Sequence, residues 1–224
     1  MASFILVHSP LVGPASWKPA AASLAGRGHD VLIPDLTGTV AGGPPYCAPQ
    51  AGVIAAAAAG AVAAGPVLVG HSGAGPLLGV AAGLLADVGG FIFVDAGLPI
   101  PGQSWMQTVP ADLVAEVRDM ADGDGWLPPW PRWWPEEVLA ELLPGQAARQ
   151  EFAGDCPRLP LAMFEEVHPP APGWPQAPAG YLRLSEGYAQ EAGKARALGW
   201  PVTELASHHL APFTDPELVA GSVL

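Results

Sequence analysis

Pro66-Val67-Leu68-Val69-Gly70-His71-Ser72-Gly73-Ala74-Gly75-Pro76-Leu77-Leu78 is an apolar run that stops at a serine set among small residues and then resumes. It reads as a strand, a sharp turn and a helix. Gly70, Gly73 and Ala74 leave room for the turn, where a bulkier residue would collide, and the turn pushes the Ser72 hydroxyl out beyond the strand end. The N–H groups and positive dipole end of the following helix lie close to that hydroxyl and favour an anion forming there. These are the needs of an acyl-transfer nucleophile. The competing reading is a glycine-rich turn with an idle serine, and the rest of the chain has to decide between them.

At 224 residues the chain is long enough for one domain with a full core, and its 27 prolines and 28 glycines fall between periodic segments. A net charge of −12 argues against nucleic acid and anionic membrane surfaces as partners, since both select basic patches. A small neutral substrate fits better, with a homodimer as an allowed assembly. Cys47 and Cys156 lie far apart and lack the spacing of a disulfide framework or zinc site. Phe4-Ile5-Leu6-Val7 is too short and has no basic lead for a signal peptide. The apolar stretch from Val53 to Val69 is alanine and glycine interrupted by Pro66, weak for a membrane span, so a cytoplasmic location is expected.

Phe4-Ile5-Leu6-Val7 suits a strand buried on both faces, ending at His8-Ser9-Pro10. A helical pattern over Pro14–Gly28 leads to a strand at Val31-Leu32-Ile33, and an alanine-rich helix over Gln50–Ala64 leads to the strand that delivers Ser72. A helix at Pro76–Ala86 and a strand at Phe91-Ile92-Phe93-Val94, ending at Asp95, follow. Such alternation predicts an α/β fold with a mostly parallel central sheet flanked by helices, and ligands gather at the carboxyl ends of its strands. His8, Ser9, Ser72 and Asp95 all sit at such ends, which favours a placed serine over an idle one.

From Pro99 to Pro178 the composition changes, with six of the eight tryptophans: Trp105, Trp126, Trp130, Trp133, Trp134 and Trp174. Helical patterns at Ala111–Met120 and Glu136–Leu143 predict a helical cap inserted over 99–178, between core segments 1–98 and 179–224. Its aromatics, Trp105 and Trp130 among them, are candidates to line a substrate pocket, although most are expected to pack the cap. Beyond it come a strand at Tyr181-Leu182-Arg183-Leu184, a helix at Gln190–Leu198, a strand at Val202-Thr203-Glu204-Leu205, then His208-His209 and a final helix with Asp215 near its start. A histidine just past the last strand is where a general base for Ser72 belongs.

Val7-His8-Ser9-Pro10 with Gly13 and Trp17, Gly70-His71-Ser72-Gly73-Ala74, and His209 with Pro216 and Val219 together resemble the α/β-hydrolase-fold superfamily over nearly the whole chain. The early start resembles its compact esterase and hydroxynitrile lyase branch. The resemblance implies a triad in the order serine, acid, histidine. His209 is preferred to His208 because Leu210 and Pro216 fit the family register behind it. For the acid, the family's usual place after the post-cap strand holds Glu186, while a second family placement, after the preceding strand, holds Asp95. Asp95 is preferred because it ends a buried strand beside the elbow.

The family pattern also implies two oxyanion donors, the N–H of Gly73 and an N–H at the position of Pro10, which has none. The Ser9 hydroxyl, in the place where hydroxynitrile lyases carry a catalytic threonine, or the N–H of Leu11 stands as the substitute. Three functions therefore remain open: a serine esterase or thioesterase, a non-hydrolytic lyase or cyclase using Ser72 and His209 for proton transfer, and a binding protein. No metal or organic cofactor is implied, since Gly70–Gly75 has neither the spacing nor the lysine of a P-loop.

Overall fold

The computed structural model describes residues 1–172, 174 and 178–224. Strand β1 (Ser3–Val7) is buried along its length, as its unbroken apolar run requires. After α1 (Lys18–Gly26), β2 (Asp30–Leu32) pairs parallel to one side of β1. Helix α2 (Cys47–Ala59) carries the chain back across, so that β3 (Val67–Ser72) pairs parallel on the other side. Then come α3 (Gly75–Ala82) and β4 (Gly90–Ala96), parallel to β3.

Residues between β4 and the next sheet strand form α4 (Ala111–Asp119), β5 (Trp126–Leu127), α5 (Glu136–Leu142), α6 (Gln146–Gly154), β6 (Leu159–Pro160) and α7 (Ala162–Glu165), with β5 and β6 antiparallel. The chain returns as β7 (Ala179–Arg183), α8 (Ala189–Ala197), β8 (Val202–Glu204), α9 (Ala211–Thr214) and α10 (Pro216–Ser222). The six-stranded sheet has the order β2-β1-β3-β4-β7-β8, and each described pairing in it is parallel. The order reverses between β1 and β3, the kind of crevice where open α/β sheets bind ligands.

Alternation along the strands feeds two cores. Ile5, Val7, Leu68, Phe91 and Phe93 pack with Ile54, Leu77, Leu78 and Ala192, which places α2, α3 and α8 on one face. Phe4, Leu6, Val69 and Val94 pack with Trp17, Leu24 and Val219 from the α1 and α10 side. Leu11 joins both apolar clusters of the inserted segment. One contains Tyr46, Val117, Phe164 and Trp105, and the other contains Val12, Phe152, Trp130 and Leu210.

The structure departs from sequence expectation at several element ends. Helix α2 begins at Cys47 and stops before Gly60, short of Ala64, because glycine weakens a helix that alanine alone would continue. The final helical stretch breaks at Asp215, since the residue before a proline is driven from helical geometry, and no side-chain capping bond forms there. Helices α6 and α7 and the β5–β6 pair lie outside the helical patterns that the sequence shows in this segment. Trp174 packs on Phe93 and Trp200, in the core beside the sheet rather than among the other inserted aromatics. Part of the expected boundary at 178 lies outside the described residues, since 173 and 175–177 are not among them.

The tightest backbone approach at the elbow is at Gly75, where a β-carbon would stand 1.9 Å from the Gly97 carbonyl oxygen. Gly75→Ala must therefore push β4's exit away from α3. A loss of about 3 kcal/mol or more is expected, read as a fall in Tm of about 6–12 °C in a thermal melt.

Candidate active site

Strand β3 ends with Ser72 at φ 57°, a left-handed conformation that a serine holds only when its surroundings impose it. The glycines on either side permit this: a β-carbon at Gly70 would meet Leu78, and one at Gly73 would meet the Ser9 hydroxyl at 3.0 Å. Across the β3–β4 pair the register slips, His71 facing Val94 and Ser72 facing Ala96, so Asp95 is an extra, bulged residue, at φ 43°. The bulge re-aims its side chain along the strand ends.

Asp95 is fully buried, and its carboxylate accepts four hydrogen bonds. Oδ1 takes the N–H groups of Leu184 (2.8 Å) and Ser185 (3.1 Å), while Oδ2 takes the Ser185 hydroxyl (2.5 Å) and His209 Nδ1 (2.9 Å). Burial opposes its ionisation, yet the bonds from His209, Ser185 and Leu184 outweigh burial and hold its pKa below the usual value. An ionised carboxylate only accepts, so His209 carries its proton on Nδ1 and leaves Nε2 as a base.

Glu186, the other candidate acid, is corrected by its position. Its side chain is 88% exposed and its carboxylate is paired with Arg183 at 2.6 Å. The turn after β7 instead contributes Ser185, which supports Asp95. His8 is corrected as well: Leu36 N–H donates to its Nε2 (3.1 Å) and its Nδ1 donates to the Ser9 carbonyl (2.9 Å), so both ring nitrogens are spent on backbone. Burial keeps it neutral by lowering its pKa.

In the facing loop, the N–H of Leu11 is taken by Ser9 Oγ (3.3 Å), which removes it as a substitute donor. Ser9 Oγ keeps its own proton to give, beside Gly73. Among the described residues nothing accepts from the N–H of Gly73. The Pro10 ring approaches Gly73 from the same side and offers no donor. Trp105 packs edge-on against Phe164, and Trp130 against Phe152 and Trp134, within the two clusters that meet at Leu11.

Two side chains without an expected role also join the site. His71 Nε2 donates to the main-chain carbonyl of His209 (2.9 Å), its ring 4.5 Å from the His209 ring and edge-on to Trp17. Burial first, and the neighbouring His209 second, lower its pKa to about 3. Tyr188 stacks flat on the His209 ring, centroids 5.1 Å apart, and its Oη lies 3.3 Å from Ser72 Oγ. His71 lies inside the elbow motif, where only its neighbours' small size drew notice. Tyr188 lies in the same turn as Glu186, and nothing in the local sequence signals which way its ring faces.

Ser72 itself is 7% exposed. Two surface grooves, of about 680 and 470 Å³, are lined by α4 with Ser104 and Glu165, and by Asp35, Thr37 and Asp155; neither includes Ser72, Asp95 or His209. The strand ends differ in chemistry from both grooves: the first holds the exposed Arg118–Glu165 ion pair, and neither is lined by a histidine. Among the described residues no cluster of three or more His, Cys, Asp or Glu side chains could hold a metal ion, and no helix is long and apolar enough to cross a membrane.

A parallel sheet of this order with a strained serine as the last residue of β3 fits an α/β hydrolase. The chain belongs to the alpha/beta hydrolase family, whose profile matches residues 4–222. It is similar in structure to an extracellular alpha/beta-hydrolase from a Paenibacillus species described as sharing structural and functional homology with tobacco salicylic acid binding protein 2. That match has 20% identity and a TM-score of 0.79, covering 100% of this chain and 98% of that one. A pyrethroid hydrolase from Sphingobium faniae JZ-2 (21% identity, TM-score 0.74, covering 99% and 95%) is similar too. So is tomato methylketone synthase I, in complex with 2-tridecanone (18%, 0.68, 99% and 96%). No curated protein matches the chain.

His71 ties pH to stability. Its folded pKa near 3 lies below the ordinary 6.5, so the unfolded chain binds the extra proton between those values, and stability present above pH 6.5 drains away as pH falls toward 3. His71→Leu is expected to be less stable at about pH 7, by ~1–3 kcal/mol for the orphaned His209 carbonyl. It is also expected to lose less than the native chain between about pH 7 and pH 4.5. Urea midpoints at the two pH values check both.

Proposed function

We propose that the protein is a serine hydrolase of small, apolar or aromatic carboxyl esters or thioesters. The observation that carries this reading is the buried Asp95–His209 hydrogen bond beside a serine held in the left-handed elbow conformation. In this reading His209 Nε2 takes the Ser72 proton as Oγ attacks the substrate carbonyl carbon. The oxygen that gains charge is held by the N–H of Gly73 and the Ser9 hydroxyl, the latter in place of the N–H that Pro10 lacks. His209 returns its proton to the departing alcohol or thiol. A water then repeats the sequence on the acyl-enzyme, and Ser72 regains its hydrogen. Asp95 stays ionised throughout and fixes the imidazole's tautomer. The segment 99–178 serves as the cap, its Leu11-centred aromatic clusters closing the strand ends from solvent. Two free, buried cysteines fit a reducing cytoplasm.

The missing N–H at Pro10 favours a second reading, in which Ser72 and His209 only move protons for a lyase or cyclase. Isotope tracing separates the two. Under the first reading a fluorophosphonate labels Ser72, oxygen from labelled water enters the acid product, and Ser72→Ala lowers ester turnover by about 10⁴-fold or more. Folded protein that resists the label, or product free of labelled oxygen, points to the second. Ser9→Ala is expected to cost about 10²-fold in kcat for ester hydrolysis, measured against a p-nitrophenyl ester.

A further inference from the structure

The turn after β7 was read for an acid and holds something else. Ser185 supports Asp95, Glu186 turns out to solvent on Arg183, and Tyr188 turns in, with its ring on His209 and its hydroxyl at Ser72. We propose that Tyr188 is a further catalytic residue, whose hydroxyl donates to Ser72 Oγ whenever that oxygen is without its proton, and whose ring face backs the imidazolium that forms beside it.

The inference rests on the serine-hydrolase reading above. Before attack, Ser72 Oγ and Tyr188 Oη, 3.3 Å apart, each have a proton to give, and either can donate. Once the Oγ proton has passed to His209 Nε2, Oγ is an acceptor only, so the bond must run from Tyr188. Burial pushes the Tyr188 pKa up to about 12, so the phenol enters each step un-ionised, with its proton in place to donate to Oγ while His209 carries the proton that Ser72 gave up. The same holds in the second half of the reaction, when the acyl carbon–Oγ bond breaks and Oγ leaves with the electron pair until His209 returns a proton. Tyr188 thus acts at the one oxygen that both gains and releases a bond, whereas Gly73 and Ser9 act at the substrate's oxygen. The nearly parallel ring, 5° from the His209 plane, presents its negative face to a histidine that becomes positive in the same steps.

The test compares native protein, Tyr188→Phe and Tyr188→Leu by fluorophosphonate labelling and p-nitrophenyl acetate turnover, with thermal melts as a check on folding. Tyr188→Phe keeps the stacked ring and loses the donor to a developing charge. It is expected to lower kcat and kcat/KM together by about 10- to 100-fold, to slow labelling to a similar degree, and to leave KM unchanged. Tyr188→Leu, which also loses the ring, is expected to fall further in kcat. A Phe variant that labels and turns over within about twofold of the native protein overturns the inference. A Phe variant whose loss lies in KM, or tracks a lowered Tm, reduces Tyr188 to a packing role and overturns it equally. Native protein that is folded but takes no label removes the hydrolase reading itself and the Tyr188 role with it, an outcome distinct from active native protein with an indifferent Phe variant.

Discussion

A carboxylate with no solvent around it is tolerable only if its oxygens are filled, and at Asp95 the fold fills them from three directions. The donors are the backbone beyond β7, the Ser185 hydroxyl and the His209 ring, and removing any one leaves part of a buried charge without a partner. The energy at stake therefore links β4, the turn after β7 and the segment beyond β8. Those are the pieces that must be in register for His209 to stand where the proposed reaction needs it. The bulge leaves Asp95 unpaired on β4, the strand next to the one that ends in Ser72.

His71 completes the arrangement from below. A strand residue next to the nucleophile holds the main chain of the residue proposed as its base, closing a separation of 138 residues with one hydrogen bond in the core. Bonds from the sheet and from the turns beyond it, none of them from the inserted segment, hold Asp95 and His209 together.

Much of this was open to reading before coordinates. The order of strands and helices followed from apolar runs and their glycine and proline ends, and the elbow from the small residues around Ser72. The burial of Asp95 follows from its place at the end of the apolar run Phe91-Ile92-Phe93-Val94. What could not be read were contacts that depend on a side chain's direction. His8 reads as a polar group at a strand end, yet its ring turns back onto Leu36 and Ser9. Tyr188 and Glu186 lie two residues apart in one turn and face opposite ways, which no periodicity encodes. The inserted segment was least legible, since its proline-rich, aromatic stretches make short helices whose burial is set by tertiary packing around Leu11 rather than by a repeating pattern.

The hydrogen bonds that order Asp95 and His209 come from β3, β4 and the two turns at the carboxyl ends of β7 and β8, and none of those donors or acceptors belongs to 99–178. The Asp95–His209 pair and the two aromatic clusters at Leu11 are thus built from separate vocabularies of contact, one polar and anchored at the strand ends, the other apolar. A lineage of such chains can exchange the residues of those clusters while the hydrogen bonds of Asp95 and His209 are inherited intact.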